Sequence, residues 1–135
     1  MAGNSWLAMS QWFIAAERPP HLAAFAPWEG ASDFYRDTLC RGGVPYPYQK
    51  MWKVLESSMV GHGRVEAITE MLTRFPLYNG YWEDKRARLE RITTPAYVLA
   101  SYSTSLHTSG SVGGYNRLGS TDKWFVMVVI MSLLD

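Results

Sequence analysis

The strongest apolar run of the sequence lies near its carboxyl end, and it restricts the fold more than any other segment. This run, Trp124-Phe125-Val126-Met127-Val128-Val129-Ile130-Met131, is rich in valine and aromatic residues. It is far shorter than the roughly 20 residues that a membrane-spanning helix needs. A short apolar run of β-branched and aromatic residues favours a strand buried on both faces, as in a parallel sheet. We therefore predict a sheet protein without a membrane segment.

Helix-like and strand-like stretches alternate along the rest of the chain. The first helix should stop at Arg18-Pro19-Pro20, because proline cannot continue a helix. Strands separated by helices indicate a parallel sheet with right-handed crossovers, and hence the α/β class. The predicted strands are 21–28, 94–100 and a last one from about 123, and the predicted helices are 6–16, 49–59, 64–73, 82–91 and one through Tyr115.

The pattern changes between residues 37 and 80. A loop rich in glycine and proline, 42–48, precedes two helix-like stretches there. We predict a helical insert, or cap, at 37–80 that divides the sheet domain into an amino-terminal part, 1–36, and a carboxyl-terminal part, 81–135.

Composition excludes several classes of partner. The formal net charge is +1, so no global field recruits nucleic acid or an acidic membrane surface. The single cysteine, Cys40, cannot form an internal disulfide, and the histidines lack partners at metal-ligand spacing. The glycine-rich run 110–114 lacks the lysine of a phosphate-binding loop. We expect neither metal nor cofactor, and the absence of a persuasive signal peptide favours a cytoplasmic location.

The chemically most informative segment is Gly3-Asn4-Ser5-Trp6-Leu7-Ala8, directly before the first helix. Small residues two positions before and three positions after the serine suit a nucleophile elbow, a sharp turn from strand to helix that exposes the serine hydroxyl. The backbone N–H of Trp6 would then face a developing oxyanion. On these six residues alone, however, Ser5 as an ordinary helix N-cap is the simpler interpretation.

A serine nucleophile also needs a histidine base and a carboxylate, which follow it in the order serine, acid, histidine in this kind of fold. His21 lies at a strand entry, where a surface or capping role is favoured. His62 lies in a Gly-His-Gly loop of the insert. His107 follows the second predicted strand, where an acid rather than a base is expected. By position, none of the three is a convincing base.

Four segments taken together resemble the CocE/NonD hydrolases, the family of cocaine esterase, which is related to X-Pro dipeptidyl-peptidases. The first resembles the family's G-x-S-Y-x-G-x-x-Q-W elbow, with Trp6 replacing tyrosine and Ala8 replacing glycine. The others resemble the family's segments after the elbow, after the cap and at its L-H-T-x-G-[ST] motif. These segments are 3–12, 19–37 with its Ala26-Pro27-Trp28-Glu29-Gly30 step, and 81–95 with 106–111.

This resemblance implies a partial α/β-hydrolase fold in which Ser5 is the nucleophile and the Trp6 N–H is an oxyanion donor. The substrate would be a small ester or peptide. Tyr46, Tyr48 and Trp52 of the insert would line an acyl pocket or, more simply, pack the insert onto the sheet.

The sequence also departs from the family pattern. Ser103 stands where the family commonly has its acid, and no histidine follows the last predicted strand in a G-P-x-x-H-like segment. The resemblance therefore predicts an incomplete fragment of a serine hydrolase with little turnover of its own. Two alternatives stay open: a non-catalytic module derived from the fold, and an acyltransferase that shares Ser5.

Overall fold

A four-stranded parallel sheet organises the chain. The computed structural model describes residues 1–46, 49–58 and 66–129. In chain order the sheet strands are β1 (Ala2–Asn4), β2 (Ala26–Trp28), β5 (Ala96–Ser101) and β6 (Lys123–Val128), and they lie side by side in that order. A separate antiparallel pair consists of β3 (Cys40–Arg41) and β4 (Val44–Pro45).

Helices connect and flank these strands. They are α1 (Trp6–Ala16), α2 (Gln49–Ser58), α3 (Ile68–Arg74), α4 (Gly80–Asp84) and α5 (Thr108–Arg117), with a π-helical turn at Phe34–Leu39 and a 3₁₀ turn at Leu89–Arg91. Parallel strands with helical crossovers confirm the predicted α/β class. None of the helices in the described ranges is long and apolar enough to cross a membrane.

The main core lies between the sheet and the helices α1 and α5. Alternate residues of β5, namely Ala96, Val98 and Ala100, are completely or almost completely buried, as period-two side-chain alternation requires. The ring of Trp12 on α1 meets Phe25 edge-on at a centroid distance of 5.6 Å. Burial of these large apolar surfaces fixes α1 against the sheet.

A second apolar cluster joins the helices of the predicted insert to residues on both sides of it. Its buried members are Tyr35, Leu39, Cys40, Trp52, Leu72 and Trp82. We call this group the insert cluster. Cys40 is a buried free thiol within it, in agreement with the absence of a disulfide.

The last strand forms as predicted, but its side chains are less buried than predicted. All six residues of β6 pair in register with β5, from Ala96 opposite Lys123 to Ser101 opposite Val128. Trp124, Met127 and Val129 are nonetheless exposed. The prediction of burial on both faces is therefore wrong for this strand. Among the described strands β6 lies at the edge of the sheet, and the exposed Trp124 and Met127, three positions apart, lie on opposite faces of it.

Two other predicted elements are shorter than expected. The strand predicted at 21–28 begins only at Ala26, and His21 before it is exposed with a φ of 72°. The charged helix predicted at 82–91 is instead α4 followed by the 3₁₀ turn. Between them Arg86 forms a β-bridge with Asp33, and the N–H of Ala87 donates to the carbonyl of Ser32, so backbone pairing with another segment replaces the helix.

Candidate active site

Ser5 occupies a strained turn between β1 and α1. Its backbone angles are φ 56° and ψ −116°, a conformation that non-glycine residues rarely adopt. The N–H of Ser5 donates to the carbonyl of Trp28 at 3.0 Å, and its carbonyl accepts from Met9 at 2.9 Å. The hydroxyl caps no helical N–H, although Ser5 stands at the N-cap position of α1. The ordinary N-cap interpretation therefore does not describe this serine, because its side chain is directed elsewhere.

The Ser5 hydroxyl contacts a histidine that is distant in sequence. Ser5 Oγ lies 3.2 Å from His107 Nε2. His107 is the N-cap residue of α5, and its carbonyl accepts the N–H of Ser111 at 2.9 Å. The sequence placed His107 in a loop where an acid was expected, and it gave no indication of this contact.

Neighbouring contacts fix the loop that carries His107. The Arg41 guanidinium donates to the carbonyl of Leu106 at 2.9 Å and to the carbonyl of Asp37 at 2.7 Å. The Thr108 hydroxyl lies within 2.6 Å of the Ser101 carbonyl at the end of β5. The loop that carries His107 is thus held from both sides, by Arg41 of β3 and by the end of β5.

The imidazole itself is partly buried. Its Nδ1 is inaccessible to solvent and has no hydrogen-bond partner within the described residues. Burial lowers the pKa of His107, the Glu29 carboxylate raises it, and the Arg41 guanidinium lowers it, with a net result below the ordinary value. A neutral imidazole at neutral pH can accept a proton.

Glu29 follows β2 directly and brings a carboxylate to this end of the sheet. It is only 6% exposed and has a positive φ of 52°. Its two carboxylate oxygens accept from the Asn4 amide at 3.2 Å and from the Thr104 hydroxyl at 2.8 Å. Both donors are neutral, and no salt bridge to Glu29 forms among the described residues. Glu29 is therefore a buried carboxyl group at the edge of this site, and the sequence reasoning did not single it out.

A usable signal for Glu29 existed in the sequence. The carboxyl ends of adjacent parallel strands meet at one edge of a sheet, which is where ligands bind in open α/β folds. Glu29 follows the strand next to the one that ends at Asn4, immediately before Ser5. An acidic residue directly after a neighbouring strand was therefore a candidate site residue by position.

The other candidate residues lie in different surroundings. Ser103 bonds to Ser101 through its N–H and through its hydroxyl, each at 3.3 Å. His21 is exposed at the far end of α1 from Ser5. The ring of Tyr46 lies under the Arg41 guanidinium at 4.3 Å. His62 and Tyr48 lie outside the described residues.

An apolar cavity of about 350 Å³ lies next to Trp6. The Trp6 side chain lines it and meets the Trp52 ring edge-on at 5.0 Å, so Trp52 does contribute to a pocket. Other apolar lining residues come from α1, from the insert and from the start of the π-helical turn before it, and three acidic residues and one lysine also line the cavity. These residues are Met9, Phe13, Phe34, Leu55 and Ile68, with Glu56, Glu66, Asp84 and Lys85.

Known proteins resemble this chain in sequence and in fold. The family model of X-Pro dipeptidyl-peptidase (S15 family) matches residues 1–65. Two crystal structures of a CocE/NonD family hydrolase from Staphylococcus aureus superpose on 93% of the chain with a TM-score of 0.84, at 32% and 33% identity. The chain belongs to the CocE/NonD hydrolase family.

Membership of this family confirms the resemblance that the sequence motifs indicated. The chain spans only 23% of the length of the Staphylococcus aureus hydrolase. More distant structures share the fold alone: a monoacylglycerol lipase from Paleococcus ferrophilus, at 16% identity and a TM-score of 0.56, and an α/β hydrolase from Sphaerobacter thermophilus, at 14% and 0.52. They cover 95% and 99% of the chain, which spans 57% and 61% of their lengths. Among curated proteins, none matches the chain significantly.

Proposed function

We propose that this chain carries the nucleophile of a serine hydrolase that cleaves small ester or peptide substrates through an acyl-enzyme on Ser5. The observation that carries the proposal is the elbow itself. Ser5 has a positive φ between a parallel strand and a helix, and its hydroxyl is free of any capping role. Strain of this kind costs about 1–3 kcal/mol and clusters at functional sites.

The position of the elbow also supplies an oxyanion donor. Trp6 is the first residue of α1, so its N–H has no acceptor within the helix. It lies at the positive end of the helix dipole, one residue after Ser5. In the proposed reaction, Ser5 Oγ bonds to the substrate carbonyl carbon and the carbonyl oxygen takes the electron pair as an oxyanion near this N–H. Collapse of that intermediate expels the leaving group and leaves the acyl-enzyme, which water then hydrolyses.

We place the apolar part of the substrate in the cavity beside Trp6. Apolar walls from α1 and from the helices of the insert suit an acyl chain or an apolar side chain. In this proposal the insert, residues 37–80, selects the substrate, while the sheet parts, 1–36 and 81–135, carry the chemistry.

An activity-based probe tests the proposal directly. The chain is incubated with a fluorophosphonate and, separately, with p-nitrophenyl acetate, and adducts are located by peptide mass spectrometry. We expect an adduct on Ser5 that is lost in Ser5→Ala. Ser10→Ala is the matched control, because Ser10 is an exposed serine on the same helix whose hydroxyl donates to the carbonyl of Leu7. An unmodified Ser5 in the folded chain, or an equal adduct in Ser5→Ala, overturns the proposal.

A further inference from the structure

We propose that Glu29 is a positioning residue for Ser5, because its side chain ties the turn that holds Ser5 to the loop after β5. This inference rests on the proposed function of Ser5 and goes beyond it, since Glu29 forms and breaks no bond to the substrate. It starts from the place where three strand ends meet: β1 ends at Asn4, β2 at Trp28 and β5 at Ser101.

The backbone of Glu29 belongs to the same hydrogen-bonded unit as the turn at Ser5. The N–H of Glu29 donates to the carbonyl of Leu99 on β5 at 2.9 Å, and the preceding residue, Trp28, accepts the N–H of Ser5 at 3.0 Å. Among the described non-glycine residues four have a positive φ, and Ser5 at 56° and Glu29 at 52° are two of them. Strain of this kind persists only where the surrounding contacts over-determine the backbone.

The side chain of Glu29 bridges two segments that are distant in sequence. One carboxylate oxygen accepts at 3.2 Å from the side-chain amide of Asn4, the residue before Ser5, and the other accepts at 2.8 Å from the hydroxyl of Thr104. Thr104 lies in the loop between β5 and α5, and Ser5 Oγ reaches the same loop at His107 Nε2, 3.2 Å away. The carboxylate bridge therefore spans the same gap as the Ser5 hydroxyl and controls its width.

Burial makes this bridge more effective than a contact on the surface. Glu29 is only 6% exposed, and a hydrogen bond to a charged group shifts an equilibrium by about 10–100-fold. Displacement of a reacting group by about 1 Å, caused by a change elsewhere, can slow a reaction by about 10²-fold. Glu29 does not line the apolar cavity beside Trp6. Loss of the bridge should therefore slow the reaction of bound substrate and leave its binding unchanged.

Two replacements of Glu29 separate the bridge from the charge. Methionine has a similar length and forms no such hydrogen bonds, whereas the amide of glutamine can accept from one partner and donate to the other, since a hydroxyl and an amide each offer an acceptor oxygen. The reaction of Ser5 with an alkyl fluorophosphonate is followed as a function of its concentration. In Glu29→Met the maximal rate constant should fall by about 10–100-fold at an unchanged half-saturating concentration. Glu29→Gln should react nearly as fast as wild type.

Changes at the other end of the bridge provide a second test and a control. Thr104→Val removes the hydroxyl donor, keeps the shape of the side chain and leaves every charge in place, so it should slow the reaction as Glu29→Met does. Glu17→Gln is the control, because Glu17 lies at the far end of α1 and its side chain is 74% exposed. It should leave both the rate constant and the half-saturating concentration as they are.

Amide hydrogen exchange measures the position of the turn without any reaction. In Glu29→Met the N–H of Ser5 should exchange about 10-fold faster or more, because its bond to Trp28 opens more often once the bridge is lost. Glu29→Gln should restore slow exchange. The N–H of Tyr97, which donates to the carbonyl of Phe25 at 3.0 Å in the sheet, is the internal control and should be unaffected.

The outcomes separate the inference from the function on which it rests. A wild-type rate in folded Glu29→Met overturns the positioning role, and so does an equal rise of exchange at Ser5 and Tyr97, which would mean that Glu29 only stabilises the fold. If Glu29→Gln reacts as slowly as Glu29→Met, the charge and not the bridge is required, and the inference is wrong. If Ser5→Ala reacts with the fluorophosphonate as wild type does, the proposed function fails, and the exchange of the Ser5 N–H alone decides whether Glu29 positions the turn.

Discussion

Replacement of Gly30 by alanine measures how closely helix α1 packs against the segment after β2. A Cβ at Gly30 would lie 2.6 Å from the Cβ of Ala8, 2.9 Å from the N of Met9 and 3.0 Å from the carbonyl carbon of Ala8. Two of these atoms are α1 backbone, so α1 must shift to make room. Overpacking of this kind costs about 1–3 kcal/mol, against a gain of about 0.4–1 kcal/mol from restricting the unfolded chain. We expect a net destabilisation of roughly 1–2 kcal/mol.

Urea unfolding of a double-mutant cycle is the appropriate assay. Ala8→Gly removes the nearest clashing atom but costs about 1 kcal/mol, because glycine is unfavourable inside a helix. The double variant Ala8→Gly/Gly30→Ala should therefore be more stable than the sum of the single changes predicts, by at least about 0.5 kcal/mol. Gly80→Ala is the control, since no atom lies within 4 Å of a Cβ built there.

The Gly30→Ala variant also tests whether the packing of α1 affects the reactivity of Ser5. Because α1 begins directly after Ser5, a displaced α1 should misplace the Trp6 N–H and slow acylation of Ser5 in Gly30→Ala. The reasoning is refuted if Gly30→Ala is as stable as Gly80→Ala, or if the two single changes add without coupling.

Three further changes test other parts of the structure. Trp52→Phe should alter the free energy of unfolding by less than about 1.5 kcal/mol, because it removes a buried Nε1 donor that has no partner among the described residues as well as some apolar area. Asp37→Asn should flatten the pH dependence of stability. Burial raises the pKa of Asp37, so the wild type loses stability as pH rises through that pKa. The amide of asparagine does not ionise, so the variant lacks this loss. Arg86→Gln should raise the pKa of Glu83 from about 2 toward the ordinary value, because hydrogen bonds from Arg86 and then Tyr78 hold it low.

Each of these three has a decisive measurement. For Trp52, the matched comparison is Trp52→Ala, which should cost about 3–5 kcal/mol in urea; an equal loss in the phenylalanine variant contradicts the expectation. For Asp37, unfolding across acidic pH should give a smaller slope in the variant, and parallel curves count against it. For Glu83, the carboxyl group is titrated by NMR. Its pairing with Arg86 stabilises the fold at pH values above the pKa of Glu83 in the unfolded chain, and this stabilisation is lost as pH falls through about 2. An unchanged titration midpoint of Glu83 in Arg86→Gln refutes the pairing.

Local patterns in the sequence predicted the framework well. Helix α1 runs from Trp6 to Ala16 as predicted, because Arg18 takes a positive φ and Pro19 follows it. The β6 strand forms because its valines and aromatics suit a strand beside β5. Both signals lie within a few residues of the element that they specify.

Long-range pairings were the part that local patterns could not predict. Residues 82–91 look like a solvated helix, yet Trp82 is completely buried and Arg86 pairs with Asp33 across the fold. The contact between Ser5 and His107 joins residues 102 positions apart. No spacing rule encodes such a contact, because it depends on which strands become neighbours in the sheet.

Trp6 has a backbone property and a side-chain property that substitution can separate. Its N–H, the proposed oxyanion donor, belongs to the backbone, whereas its indole ring forms a wall of the cavity and contacts Trp52. Every residue type except proline retains that N–H. Substitution at position 6 by any residue except proline can therefore reshape the cavity while the backbone donor stays in place.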